Sequence, residues 1–233
     1  ILPLGATSHG GACDSPYQAF SAFAGNPYFI SLDELKKEGT LTAAECKAVQ
    51  VESGTAVDYE WLNKTRLPLL RKAYERSNIS ADPAFADFCR ENSWWLEDYA
   101  LYMAVRSHFQ EQSRTLWPED IRKHYGPALD YYREKLYFEV EFHKYLQYKF
   151  AQQWFALKAY ANEKHIKIVG DIPIYVSFDG ADVWANPELF ELDEENVPTR
   201  IAGVPPDGFN EDGQVWGNPL YRWDVHKQTG YRW

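Results

Sequence analysis

Asp171 is the residue whose setting most needs an explanation. It stands inside the apolar, β-branched run 166–176, where an ionised carboxylate is costly unless paired or hydrogen-bonded. At the C-terminal end of a barrel strand such a residue would face an active-site mouth. A buried carboxylate tied to local backbone amides would meet the same cost. Downstream, Asp179, Asp182, Asp193, Glu194, Glu195, Asp207, Glu211 and Asp212 are interleaved with Trp184, Phe209, Trp216, Tyr221 and Trp223. Asp193-Glu194-Glu195 is most simply a solvated turn. The punctuation of the remainder by Gly203, Pro205, Pro206, Gly208, Gly213, Gly217 and Pro219 suits a shaped lid over a cleft. Acids and amides that bind hydroxyls, beside rings that cover apolar faces, are what sugar recognition requires.

Other chemistries lack their residues. The six histidines, His9, His108, His124, His143, His165 and His226, are scattered without HExxH or paired spacing, so no metal site is expected. GxxxxGK[ST] and GxSxG are absent, and Gly203-Val204-Pro205-Pro206 is too proline-rich for a phosphate loop. Nucleotide-dependent and serine-hydrolase functions are therefore disfavoured, and no cofactor is expected. A net charge of −10, from 24 Lys+Arg against 34 Asp+Glu, argues against nucleic acid, which is gripped by clustered cations. No apolar run reaches the roughly 18 residues of a membrane span. Cys13, Cys46 and Cys89 are odd in number and form no CxxC, which points to a reducing, cytoplasmic compartment. Nine Trp, 16 Tyr and 13 Phe in 233 residues imply either a core of large side chains or a surface for flat sugar faces.

The elements that would position these groups follow from caps and periodicity. Ile1–Gly5 reads as a short buried strand, and residues 5–30 as a long ordered loop. Ser31-Leu32-Asp33-Glu34, closed by Gly39, and Thr42-Ala43-Ala44-Glu45 are capping-box signatures. Asp58 would cap a helix carrying Trp61, Leu62, Leu69, Leu70 and Ala73, with Pro68 kinking it. Asp82-Pro83 opens another helix, and the next would carry Trp94, Leu101, Val105 and Phe109 on one face. A stripe of Phe138, Phe142, Leu146, Phe150, Trp154, Leu157 and Ala161 predicts one helix from about Leu129 to Lys164, roughly 50 Å long. The run 166–176 then reads as a buried strand. Strand, helix and strand with long loops imply an α/β barrel or a doubly wound sheet. The apolar start and the aromatic end of the chain read as cuts within a longer protein.

Several stretches closely resemble the amylomaltase (disproportionating enzyme) family of 4-α-glucanotransferases. They are Asp14-Ser15-Pro16-Tyr17-Gln18, continuing Phe20-Ser21-Ala22-Phe23-Ala24-Gly25-Asn26-Pro27-Tyr28; Gly170-Asp171-Ile172-Pro173-Ile174-Tyr175-Val176; Val183-Trp184-Ala185-Asn186-Pro187; and Gly203-Val204-Pro205-Pro206-Asp207 through Gly213-Gln214-Val215-Trp216-Gly217-Asn218-Pro219-Leu220-Tyr221. The resemblance implies a partial (β/α)8, TIM-type barrel with a large helical insertion. Residues 1–30 would supply a barrel strand and active-site loop, 31–128 the helical insertion, and 129–233 a barrel helix, a strand and a lid loop. It also implies a retaining double displacement on maltodextrins, which needs two carboxyl groups about 5–5.5 Å apart. The family's nucleophile motif, of the type Arg-Ile-Asp-His-Phe-Arg-Gly, and its acid/base Glu and stabilising Asp would lie beyond Trp233.

Carried over by position, Tyr17 resembles the aromatic platform under the sugar at the cleavage site, with Ser15 beside it. Asp171 resembles the carboxylate that binds that sugar's hydroxyls. Asp207, Phe209, Gln214, Trp216 and Asn218 match the family's lid loop, and Tyr59 an aromatic glucan contact away from the cleft. Gly11-Ala12-Cys13 replaces a Tyr-Gly pair common in the family, and Gly208 stands where many members have Tyr; both changes remove an aromatic from the outer glucan contacts. A non-catalytic carbohydrate-binding protein with the same wall is the alternative reading. A helical interaction protein would account for 31–164 but not for the motifs on either side.

Overall fold

The computed structural model describes residues 1–7, 15–51 and 55–233; His9, Cys13, Asp14 and the Gly11-Ala12-Cys13 departure lie outside them. The first four helices begin where a short polar side chain takes an amide. Ser31 accepts the Glu34 N–H before α1 (Leu32–Lys37), and Thr42 and Glu45 complete a capping box on α2 (Ala43–Ala48). Asp58 accepts the Trp61 N–H at 2.8 Å ahead of α3 (Tyr59–Arg76), which continues through Pro68. Asp82 and Pro83 open α4 (Pro83–Glu91). These caps satisfy amides that the first helical turn leaves without partners.

α5 (Ser93–His108) is the centre of the helical core and packs on α4, α7 (Gly126–Lys135), α8 (Tyr137–Glu163) and α9 (Ala181–Ala185). Short α6 (Glu119–Arg122) precedes α7, and α10 (Trp223–Gln228) follows the sheet. Leu96, Tyr99, Ala100, Leu101, Tyr102, Ala104 and Val105 are all buried. Trp94 lies on the same face two turns before Leu101 but is 56% exposed at the start of the helix. The single helix expected from Leu129 to Lys164 is two helices, separated at Leu136, whose φ of −108° and ψ of 22° leave the helical region. The apolar stripe is likewise divided. α3, α4 and α5 cover the first half of α8, burying Phe142 and Leu146, while from Phe150 onward no residue of α8 is buried.

Two side-chain amides of α8 hold Gly25 and Ser31. Gln147 accepts the Gly25 N–H at 2.8 Å and donates to the Gly25 carbonyl at 2.9 Å. Gln153 repeats this on Ser31 at 2.6 and 3.4 Å. Each amide does what the backbone of a neighbouring strand would do. A Cβ at Gly25 would sit 2.1 Å from the Phe150 ring, so only glycine allows this approach.

The two expected barrel strands are not strands in a sheet here. Ile1–Gly5 forms a single bridge, Gly5 opposite Gly25, and 166–176 runs without a ladder, its Val169, Ile172 and Ile174 being 67–78% exposed. A strand exists only where a neighbour takes its N–H and C=O groups. The Ile1 backbone nitrogen donates to the Val169 carbonyl at 2.7 Å, which sets the two segments side by side. The regular sheet lies instead in the stretch read as lid. β1 (Ile201–Val204) and β2 (Gln214–Pro219) pair antiparallel, Val204 opposite Gln214 and Ile201 opposite Pro219, with a register shift between Ile201 and Gly203. The architecture is thus mixed and mainly helical, with one two-stranded hairpin among the described residues.

Candidate functional site

The turn 15–18 is set locally. The Ser15 hydroxyl accepts the Tyr17 N–H at 3.3 Å and the Ser15 carbonyl accepts the Gln18 N–H at 3.0 Å, the turn chemistry expected of serine. Tyr17 is left 45% exposed, and its hydroxyl donates to Asp171 Oδ2 at 2.6 Å. That bond to a carboxylate raises the phenol's pKa above its ordinary value, because losing the proton would set two anions face to face. Among the described residues no other donor reaches Asp171, so its remaining lone pairs are open to hydroxyls.

Across the cleft stands β2. Gln214 Oε1 accepts the Trp216 indole N–H at 3.0 Å, which fixes the ring's edge. Gly217 takes a φ of +78°, a backbone state natural to glycine, between the partly exposed Trp216 and the buried Asn218. Asn218 donates to the Val176 carbonyl at 2.7 Å, and the Tyr221 hydroxyl donates to the Ile174 carbonyl at 3.1 Å. The segment around Asp171, lacking strand partners, is held by these side chains. The Tyr175 ring stacks on Tyr221 at 5.8 Å, 9° from parallel, and tilts toward Trp216.

These elements enclose a cleft of about 870 Å³, lined by Ser15, Tyr17, Gln18, Asp171–Tyr175, Gln214–Trp216 and Asn218. It brings together Ser15, Tyr17, Asp171, Gln214, Trp216 and Asn218. It does not include Asp207, Phe209 or Tyr59. Asp207 caps its own turn, accepting the Phe209 and Asn210 N–H groups at 2.8 and 2.9 Å, and leaves Phe209 fully exposed. Tyr59 opens α3 and is 40% exposed. A second cavity, about 1020 Å³, shares Asp171, Ile172 and Pro173 and extends to Trp94, Trp95 and Phe150. Gln18 and Tyr175 also line the first cleft, and sequence reasoning missed both; no local spacing links Gln18 to a partner 200 residues away.

Asp171 is the one carboxylate on the cleft wall among the described residues. The cleft's described residues can therefore bind and orient hydroxyls and cover an apolar face, and among them no second carboxyl group pairs with Asp171 on the cleft wall. Among the described residues no three His, Cys, Asp or Glu side chains converge as metal ligands. Asp182, buried at the start of α9, is a separate case. Burial pushes its pKa up to about 6, against the pull of the Ala22 N–H it accepts at 2.7 Å.

Residues 1–233 match the family model described as 4-alpha-glucanotransferase. The 4-alpha-glucanotransferase of Streptococcus pneumoniae is 49% identical over 236 residues, covering 100% of this chain and 46% of that protein. That of Thermus thermophilus is 47% identical, with 99% and 46% covered. The amylomaltase of Streptococcus agalactiae, solved in complex with acarbose, superposes with a TM-score of 0.89 at 43% identity, over 100% of this chain and 47% of that one. The chain thus spans about half the length of the relatives it matches.

Proposed function

Because the chain belongs to the 4-alpha-glucanotransferase family, we propose that it supplies the donor-sugar wall of an enzyme transferring α-1,4-glucan segments between maltodextrins. The observation that carries this reading is the Tyr17–Asp171 hydrogen bond of 2.6 Å, facing Trp216 and Asn218 across one cleft. A tyrosine held at its hydroxyl presents a ring face of fixed tilt, on which the apolar face of a glucose unit stacks. Asp171 then takes that unit's hydroxyls as charge-assisted acceptor. Retaining transfer proceeds by two displacements. A carboxylate attacks the anomeric carbon while a general acid protonates the departing oxygen, and the 4-hydroxyl of an acceptor sugar later displaces the carboxylate, giving its proton back. In our reading both reacting groups come from the part of the relatives' length that this chain does not span.

The same reading makes 1–30, 31–128 and 129–233 parts of a TIM-type barrel with a helical insertion. It is supported by Ile1 lying alongside Val169 and by the apolar, unladdered run 166–176. Asp207 and Phe209 would close over bound glucan as the hairpin's mobile tip, and Tyr59 would touch glucan away from the cleft. We place the protein in the cytoplasm, where Cys46 and Cys89 would stay as the free thiols they are here; no described helix is long and apolar enough to cross a membrane. That Asp171 is the one carboxylate on the cleft wall among the described residues favours a second reading, a carbohydrate-binding protein without catalysis. Incubating the full-length protein with maltotriose and following glucose and longer maltodextrins by chromatography separates the two. Binding of maltodextrin without transfer products would sink the enzyme reading.

A further inference from the structure

We propose that Gln18 is a positioning residue that fixes the hairpin bearing Trp216 against the turn bearing Tyr17, so that the two walls meet a sugar at a set spacing. The inference rests on the glucan-transfer reading. Gln18 Nε2 donates to Asn218 Oδ1 at 3.0 Å and to the Trp216 carbonyl at 3.3 Å, while Gln18 Oε1 accepts from Asn218 Nδ2 at 3.3 Å. Asn218 is 3% exposed, and its Nδ2 also donates to the Val176 carbonyl at 2.7 Å. One amide pair therefore joins the turn 15–18, β2 and the segment that carries Asp171. Among the described residues it is the hydrogen-bonding link between the turn and β2.

Both N–H groups of the Gln18 amide are engaged by protein acceptors. What the side chain gives a bound sugar is therefore the place of its neighbours and not a donor of its own. Tyr17 is adjacent in the chain, and Trp216 is held through its backbone carbonyl. Loosening the pair would let the hairpin drift, and ordering it again would fall on substrate binding. An uncharged amide also makes this spacing independent of pH.

The test uses steady-state disproportionation of maltotriose by the full-length protein. Gln18→Met keeps the shape and removes every hydrogen bond, and Gln18→Glu removes the donors while keeping an acceptor. Both should raise KM roughly tenfold, the scale of a lost neutral hydrogen-bonded pair. The turnover number should stay close to wild type in both, and the pH profile in Gln18→Met. Gln18→Glu, which brings a carboxyl against the Asn218 and Trp216 oxygens, should make KM depend on pH. Any fall in melting temperature should leave both variants fully folded under assay. Because Gln18 acts through the hairpin, Gln18→Met added to Trp216→Ala should raise KM no further. An unchanged KM in folded Gln18→Met and Gln18→Glu would overturn the proposal. So would multiplying losses in the double variant, or a fall in melting temperature that accounts for the lost rate. If the wild-type protein itself gives no transfer, the glucan-transfer reading has failed and this one falls with it; normal wild-type transfer with indifferent Gln18 variants overturns this one alone.

Discussion

In the proposed site two roles meet at Tyr17, a ring face offered to the sugar and a hydroxyl that bonds Asp171. They separate by mutation in the full-length protein. Tyr17→Ala removes both and should lower kcat/KM for maltotriose ten- to hundredfold, for a lost aromatic contact of ~1–3 kcal/mol. Tyr17→Phe keeps the face and should lose less. Wild-type rates in a folded Tyr17→Ala enzyme would remove Tyr17 from the site. Asp171→Asn is nearly isosteric and can still accept the Tyr17 hydroxyl, so thermal denaturation should change little while kcat/KM falls by about tenfold or more, as a charge-assisted acceptor becomes neutral. A lowered melting temperature with an unchanged rate per folded molecule would make Asp171 a structural carboxylate. The sequence already singles out Asp171 by its misfit in an apolar run, and Tyr17 by family resemblance. It could not show that the two touch, because 154 residues separate them. The contact between Gln18 and Asn218, 200 residues apart, was hidden for the same reason, although Asn218 itself is picked out by the resemblance.

Helices were the legible elements, since their signals are local. Ser31, Thr42, Asp58 and Asp82 each cap the helix that follows within three residues. The break at Leu136 escaped because no glycine or proline marks it, and the hairpin escaped because its Gly and Pro residues read as loop. Ile1–Gly5 and 166–176 have strand composition, but a ladder depends on neighbours that no local pattern contains. Asp182 gives the helical scale a measurable property. Its carboxyl is protonated more readily in the fold, at about 6, than in the unfolded chain, near the ordinary value of 3.8. The fold therefore binds the extra proton between those values, and Asp182's contribution to stability falls as pH rises through that window. Asp182→Asn keeps an acceptor for the Ala22 N–H and cannot ionise. Melting temperatures of wild type and variant, followed from pH 4 to 7, should diverge in the variant's favour as pH rises. Parallel curves would mean that Asp182 is already ionised across the range.

Considered whole, the molecule leaves apolar surface where a barrel would have neighbours. Val169, Ile172 and Ile174 are 67–78% exposed, and Phe155, Leu157 and Tyr160 on the far half of α8 are 57–61% exposed. Residues 1–233 alone, given maltotriose, should therefore yield no transfer products, and sedimentation should find them associated, since exposed apolar strands and faces seek partners. Transfer at the rate of a full-length relative would move the reacting pair into this chain, among Asp171, Asp179, Asp182 and Asp207. The glutamine contacts of α8 carry a consequence for how the chain is born. Gly25 and Ser31 each depend on an amide 122 residues later in the sequence. At the usual pace of about 5–20 residues per second, the N-terminal segment leaves the ribosome roughly ten seconds before Gln147 and Gln153 exist to receive it. Until then its backbone groups have water for company, and residues 25–31 take their place only once the chain through α8 has followed them.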